Sequence, residues 1–517
     1  MNYVAEFLYL QGWRKMMSKE KYKLHPMSAV INFVKVLKEM IIPFIVVIVV
    51  NGFGGSEGSG DWSSYIINGI YGIILIFLLV SGIIKWKRFR YWFEEEELRI
   101  EYGLFVKKKR YIPFERIQSL NYTEGIFHRP FGLVKVKVET AGGGATKEAD
   151  AELTAITKAA AEQIKQEMLQ AKNKLPAELD ESTGVQPLAK EEKRAIFKMS
   201  GKDLFMLAST SGGVGVFFSG LAVFASQFSN VIPYGVIYEE IVVFIRFGAL
   251  IVVLAVFVVL LIAWIVSVVL TFINYYEFTI TVEDEEIIIA RGLLEKKKIT
   301  IPLSRIQGVQ VVENPLRQLI GYVTVIVDSA GGSLAEKDEK IRLLPIIKKT
   351  KITPILQEIF PELQLEPTLT KIPKRSRKFF YRLDYIWMIP VAGAVSYFFY
   401  PFGLFSLLLF PLSYGLGVWQ QKTAGYYLNE RQLVIQYRLF SKVMVWMEKR
   451  RIQSMTERAT IFQKKANVSS IITTIKSGVT GASTTIPYIE KTDAEMLLNW
   501  YEPYRKTTIE KEQPLED

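Results

Sequence analysis

Long apolar runs alternate with long polar stretches along the chain, and the alternation repeats three times. Six runs approach the roughly 20 apolar residues that a helix needs to cross a hydrocarbon core about 30 Å thick. They come in pairs: 29–52 with 64–86, 204–227 with 247–273, and 385–400 with 402–420. The connection inside each pair is short, and a polar domain follows each pair. The pattern predicts six transmembrane helices in three hairpins. The third pair is the least regular, because its spans are short and Pro390 and Pro411 interrupt them. Two full spans and a re-entrant hairpin both fit, and both return the chain to the same side.

Within the polar stretches the period changes. Residues 276–347 alternate apolar and polar positions in "EFTITV", "EIIIAR", "KKITIP", "RIQGVQVV", "YVTVIV" and "KIRLLPII", the period of half-buried strands. Turn formers separate them, among them Arg291-Gly292, Pro302, Asn314-Pro315 and Ala330-Gly331-Gly332. A helix is expected to follow, at 354–360 here and at 155–170 in the preceding domain. Each domain is thus read as an antiparallel meander of at least six strands closed by a helix.

These domains are copies. A shift of 189 residues aligns 100–143 on 289–332 without a gap, with 19 of 44 positions identical. Gly103-Leu104 falls on Gly292-Leu293, and Ile112-Pro113 on Ile301-Pro302. The third copy keeps Leu439-Phe440 in the register of Leu104-Phe105, but Arg438 and Glu448 replace the glycine and proline. The triplet Arg-Ile-Gln stands in all three, as Arg116, Ile117 and Gln118, then Arg305, Ile306 and Gln307, then Arg451, Ile452 and Gln453. In a strand the isoleucine takes one face and its neighbours the other. A core isoleucine with flanking residues that tie a neighbouring strand is the structural reading. Ligand contact by Arg and Gln is the functional one.

Orientation follows from Lys and Arg near the span ends, which stay on the cytoplasmic side. Lys85, Lys87, Arg88 and Arg90 follow the second run, and Lys371, Lys374, Arg375, Arg377 and Lys378 precede the fifth. The connections inside the pairs hold none, although Arg246 stands at the start of the fourth run. Cell-membrane localisation with all three domains and both termini cytoplasmic is the expectation. The segments then read as 1–28 basic N-terminus, 29–86 hairpin, 87–173 domain, 174–203 linker, 204–273 hairpin, 274–366 domain, 367–384 basic linker, 385–420 hairpin, 421–504 domain and 505–517 disordered tail.

Composition narrows the chemistry. Half of the 517 residues are hydrophobic, and 64 basic against 52 acidic side chains give a net charge of +12. Much of that excess flanks the spans, so nucleic acid is not expected as a partner. The absence of cysteine excludes thiol nucleophiles, thiolate metal sites and disulfides. The two histidines, His25 and His128, have no second ligand at metal spacing. No nucleotide motif is found, so no catalytic residue, metal or cofactor is expected. Ser211, Gly215 and Ser219 recur every four residues, a stripe that suits close helix packing.

The clusters Lys107, Lys108, Lys109 and Arg110, and Lys296, Lys297 and Lys298, open equivalent strands. Beside an anionic leaflet each cation contributes roughly 1 kcal/mol. A lipid or partner surface is one reading of these clusters and a solvated hairpin the other.

Three polar β domains with "GLxxKKKxxIPxxRIQ", "GxVxV" and "AGG", each preceded by a membrane hairpin, resemble the bacterial membrane-flanked, pleckstrin-homology-like domain family in its large three-copy form. The resemblance covers nearly the whole chain and is weaker in the third copy. It implies an α+β membrane protein with three PH-like antiparallel β-barrels, each closed by a helix. It also implies a smaller single-domain relative as partner and a role in tolerance of bacteriocin-type peptides, while membrane lipids are expected as partners from the basic clusters. The functional expectation is a non-enzymatic membrane scaffold; a transporter or exporter subunit moving a peptide or lipid is the alternative.

Overall fold

The computed structural model describes residues 21–35, 37, 62–140, 151–173, 194–211, 249–283, 285–330, 340–398, 400, 402–478 and 481–502. The chain divides into two compact units, Met1–Leu303 and Ser304–Asp517, and the division falls inside the second copy.

In the first unit, helix α1 (Trp62–Arg88) leads into β1 (Arg90–Glu94), β2 (Glu97–Tyr102) and β3 (Lys108–Pro113), an antiparallel three-stranded sheet. β4 (Ile117–Glu124), β5 (Leu133–Thr140) and β6 (Ala151–Thr157) follow, with helix α2 (Lys158–Asn173) behind them. Both sets bury one core, in which Leu98, Ile117, Val136, Leu153 and Ile164 are fully enclosed. The second copy then begins with β7 (Arg194–Lys198), α3 (Gly201–Thr210), α4 (Ala249–Tyr275), β8 (Thr279–Glu283), β9 (Glu286–Arg291) and β10 (Lys296–Pro302).

β4 does not end its sheet. It pairs with β10, giving a seven-stranded sheet ordered β6-β5-β4-β10-β9-β8-β7. The second half of copy one and the first half of copy two are thereby one antiparallel sheet.

The second unit repeats the plan. It opens with β11 (Ile306–Glu313), α5 (Pro315–Leu319), β12 (Tyr322–Ser329), β13 (Ile341–Lys348) and α6 (Ile352–Ile359). The third copy adds β14 (Thr370–Lys371), α7 (Lys378–Phe398), α8 (Leu409–Thr423), β15 (Gly425–Leu428), β16 (Gln432–Arg438) and β17 (Lys442–Glu448). It closes with β18 (Ile452–Arg458), α9 (Ile461–Lys465), β19 (Val468–Ile475), β20 (Ala482–Glu490) and α10 (Lys491–Tyr501). Here β11 pairs with β17 to make the order β13-β12-β11-β17-β16-β15-β14, while β18-β19-β20 remain three-stranded.

The apolar segments are inserted between neighbouring strands. Tyr22 bridges Tyr91, β7 pairs with β8, and β14 pairs with β15. Arg194–Lys198 and Thr370–Lys371 are therefore strands inside stretches whose polar composition reads as linker.

The structure corrects the expectation of six transmembrane helices. Among the described residues one helix, Gly403–Thr423, has the length and apolarity to cross a bilayer, and Leu260–Tyr275 is a shorter apolar one. The run at 29–52 lies mostly outside the described residues, as does 212–227. In α7 charge shortens the apolar stretch: the helix carries Lys378, Arg382 and Asp384 and has Pro390 inside it. In the third pair a 3-10 turn, Phe402–Leu408, lies between α7 and α8.

The Arg-Ile-Gln triplets sit at a junction, not within a strand. A 3-10 turn ends at Arg116, Arg305 and Arg451, and the next strand starts at the isoleucine, which is buried in each copy. The turn is needed because the chain leaves one sheet and enters another.

The β9–β10 turn depends on Gly292, whose φ of 110° is left-handed and whose added Cβ would lie 2.1 Å from the Glu295 carbonyl oxygen. Gly103 repeats this with φ 134° and 1.9 Å to the Val106 oxygen. Gly292→Ala is expected to cost about 1–3 kcal/mol, read as a lower unfolding midpoint of the detergent-solubilised chain. Gly69→Ala, with nothing near the added methyl, serves as the control.

Candidate functional site

The seam between copies one and two carries a buried polar network. β4 and β10 run antiparallel with Lys296 opposite Glu124, Lys297 opposite Thr123 and Lys298 opposite Tyr122. One step further in, the buried Asn121 side chain joins three strands. Its Nδ2 donates to Glu139 on β5 at 3.1 Å, and its Oδ1 accepts from the Thr300 backbone N–H on β10 at 3.1 Å. Ser119 Oγ donates to the other oxygen of Glu139 at 3.0 Å. A buried carboxylate costs free energy unless hydrogen-bonded, and these two donors supply the bonds.

The second seam, inside the second unit, reproduces the plan with different side chains. Gln310 stands where Asn121 does and donates to Asp328, which stands where Glu139 does. The longer amide meets the shorter acid, so the reach across the two strands is kept. Glu313 takes the place of Glu124, is buried, and accepts from Lys442 at 3.4 Å and Lys349 at 3.3 Å.

Beside the first seam lies a cavity of about 620 Å³, walled by β4, α2 and the strands of the second copy. Its charge is unbalanced: Lys158, Lys198, Arg291 and Lys296 to Lys298 face Glu124, Glu162 and Glu277, six cations against three carboxylates. Some of these are committed. Lys158 pairs with Glu124 at 2.8 Å, Lys296 with Glu277 at 3.3 Å, and the Arg291 guanidinium lies 4.7 Å from the Tyr275 ring centre. Tyr122 also lines the wall. Burial pushes its phenol well above the ordinary range, and its hydroxyl has no hydrogen-bond partner. The arrangement can hold an anionic group by charge.

The two basic clusters of the sequence are thus placed differently. Lys296 to Lys298 form the seam strand and face the cavity. Lys108, Lys109 and Arg110 belong to β3, the edge of a three-stranded sheet, and Lys107 immediately precedes it. There Lys107 pairs at 2.8 Å with the buried Glu101, which also draws Lys109 at 3.9 Å and Lys21 at 3.6 Å. The hydrogen bond from Lys107 leads the causes that hold the Glu101 carboxyl below its usual range. No sequence signal pointed to Glu101 or Tyr122. Their importance comes from burial, which an alternating pattern does not disclose.

The triplets diverge as well. Arg305 is buried and donates from Nε to the Ala330 carbonyl at 2.7 Å, while Gln307 donates to the Arg305 carbonyl at 3.1 Å. Arg116 is exposed with Gln118 half-buried, and Arg451 is half-buried with Gln453 exposed. Ser211 Oγ donates back to Leu207 at 2.6 Å, whereas Gly215 and Ser219 lie outside the described residues. His128 bonds the Thr154 carbonyl at 2.9 Å, and His25 caps the Met27 N–H at 3.2 Å. Among the described residues no cluster of His, Asp or Glu could hold a metal.

Repeated PH-like domains, joined edge to edge with a polar seam, define a tandem-domain protein. The Bacterial PH domain family matches the chain three times, over 42–172, 242–358 and 385–505, and the chain belongs to that family. It is similar to the transmembrane protein YdbT of Bacillus subtilis (strain 168), with 34% identity over 498 residues that cover 94% of this chain and 99% of that protein.

Asn121→Ala removes a donor to a buried carboxylate and an acceptor for a strand N–H. Its expected cost is about 1–3 kcal/mol, measured as a loss of unfolding free energy of the full chain. Asn121→Gln, with Glu139→Asp in the same chain, copies the second seam and is expected to recover most of it.

Proposed function

We propose that the chain is a non-enzymatic scaffold of the cell membrane that holds anionic lipid headgroups in the cavity beside its first seam. The observation that carries this reading is the excess of six cations over three carboxylates around a cavity of about 620 Å³. Anionic headgroups are drawn to such a site by charge. The word transmembrane in the relative's name supports a membrane setting for this chain too. In that setting the chain is multi-pass, with its PH-like domains and termini cytoplasmic. Support comes from the strands that flank each apolar insert, which pair with one another, as an insert returning to the side it left requires. A smaller single-domain relative is the partner, and protection against membrane-active peptides the outcome, both by family resemblance.

The lipid reading is tested on the purified full chain by native mass spectrometry after reconstitution in mixed phosphatidylglycerol and phosphatidylcholine. Lys297→Gln with Lys298→Gln is expected to retain less phosphatidylglycerol than the parent, and equal retention overturns the reading. Topology is tested separately, because a cysteine-free chain accepts single cysteines. Impermeant labelling in intact cells should reach a cysteine at Glu57 or Gly235 and spare one at Asp150, Lys340 or Glu490. Labelling of the last three would reverse the orientation.

A further inference from the structure

Two positions in each copy expose a large apolar side chain where a folded domain has no need of one. The first is the tip of the turn before the seam-type strand. Phe105, Leu294 and Phe440 are aligned by the internal repeat and are 82%, 44% and 69% exposed. The second follows the strand β4 and its equivalents. Phe127, Leu316 and Phe462 are likewise aligned and are 46%, 62% and 68% exposed. Single exposed apolar residues are ordinary on protein surfaces. Six at two repeated positions, in copies that otherwise diverge, are not.

Their surroundings indicate what covers them. Each first turn is hydrogen-bonded to the end of the apolar helix that precedes its domain. In copy one Arg88, the last residue of α1, donates to the Leu104 carbonyl. In copy two Leu293 N donates to Ile273 of α4 at 2.8 Å, and Gly292 N to Tyr276 at 2.9 Å. In copy three Gln420 of α8 donates to the Leu439 carbonyl at 3.1 Å, while the Arg438 guanidinium lies 3.9 Å from the centre of the Trp419 ring. In copies one and three the second turn stands by the start of the insertion. Phe131 packs on His25 with ring centres 5.9 Å apart, and Arg375, just before α7, donates to Ala466 at 3.0 Å. A lysine follows each first tip at the same distance, Lys107, Lys296 and Lys442. Each of these lysines is held by a carboxylate, Lys107 by Glu101, Lys296 by Glu277 and Lys442 by Glu313, so the apolar tip is the part that can enter a lipid–water boundary.

We propose that these turns dip into the bilayer interface beside the apolar helices and fix the depth and tilt at which each PH-like domain stands on the membrane. The inference rests on the membrane setting proposed above but not on the seam cavity. The occupant is lipid, because every first tip is tied to the end of an apolar helix and faces outward from its own domain core.

The test places single cysteines at Phe105, Leu294, Phe440 and Phe462, with Glu115 at the opposite end of β3 as the aqueous control. Each full-length variant is labelled with an environment-sensitive fluorophore and reconstituted in liposomes with or without nitroxide-bearing lipids. Flotation with the liposomes reports the membrane setting by itself. Given flotation, the expected result is blue-shifted emission at the tips, stronger quenching by shallow than by deep nitroxides, and neither effect at Glu115. Emission and quenching at the tips equal to those at Glu115 would overturn the proposal and leave a protein partner as their cover. Variants that fail to fold are recognised by loss of the parent's thermal transition, and Phe105→Ser and Phe440→Ser labelled at Phe462 then carry the same reading.

Discussion

Everything in this protein depends on the main-chain pairing of one copy's β4-type strand with the next copy's β3-type strand. An open strand edge offers unsatisfied N–H and C=O groups and invites unwanted association. Three copies in one chain present such edges in series, and the two seams remove them inside it. β4 takes β10, and β11 takes β17. Among the described residues, the strands of these two types left unpaired on that side are β3 of the first copy and β18 of the third. Both carry exposed charge, Lys108 to Arg110 on one and Glu457 with Arg458 on the other. Charge on an edge strand is a common protection against pairing with other chains.

The seams also explain where the copies diverge. Glu124 and Glu313 end the two strands that accept a partner, and each has a lysine opposite it in the next copy. In the third copy β18 lies at the end of a three-stranded sheet, and Ala459 occupies the equivalent place. The buried amide and acid follow the same logic. Asn121 with Glu139 and Gln310 with Asp328 serve strands that are paired on both sides, whereas Thr456 and Thr474 stand there in the third copy. A buried carboxylate is retained where its neighbours can bond it and is absent where a strand is open to water.

Much of the fold was legible in the chain itself. The period-2 runs, the glycine at the β9–β10 turn, the C-terminal helices and the threefold repeat follow from side-chain alternation and from the unusual φ that Gly103 and Gly292 adopt. The sharing of sheets was not legible. A strand buried on one face shows the same alternation whether its neighbour belongs to its own copy or to the next. The strands before the insertions were hidden too. Arg194–Lys198 is flanked by charge, and Thr370–Lys371 is only two residues long, so each reads as linker until its partner across the insertion is known. The apolar runs misled in the other direction. Hydropathy sums ignore where a helix starts and which charges its ends carry, and among the described residues one helix, Gly403–Thr423, has the length and apolarity to span. Of the candidate site, the lysine clusters stood out by composition, while Glu101, Asn121 and Tyr122 gain their roles only from burial.

The third copy shows which of these features is a constraint and which a means of meeting it. A tight turn must join its β16 to β17 beside the end of α8, and the first two copies meet the need with a left-handed glycine. Arg438 replaces that glycine and is buried, yet the turn persists. Its guanidinium stacks on Trp419, donates to the Thr423 hydroxyl at 3.2 Å and to the Phe440 carbonyl at 3.0 Å. Burial lowers its pKa from the usual arginine range, with Glu313 opposing the shift. A backbone solution has been exchanged for a side-chain one that stitches the turn directly to the helix. What all three copies keep is the attachment of that turn to the helix end. The position of each domain against the end of its insertion is therefore the constraint, and the glycine is one of two ways to satisfy it.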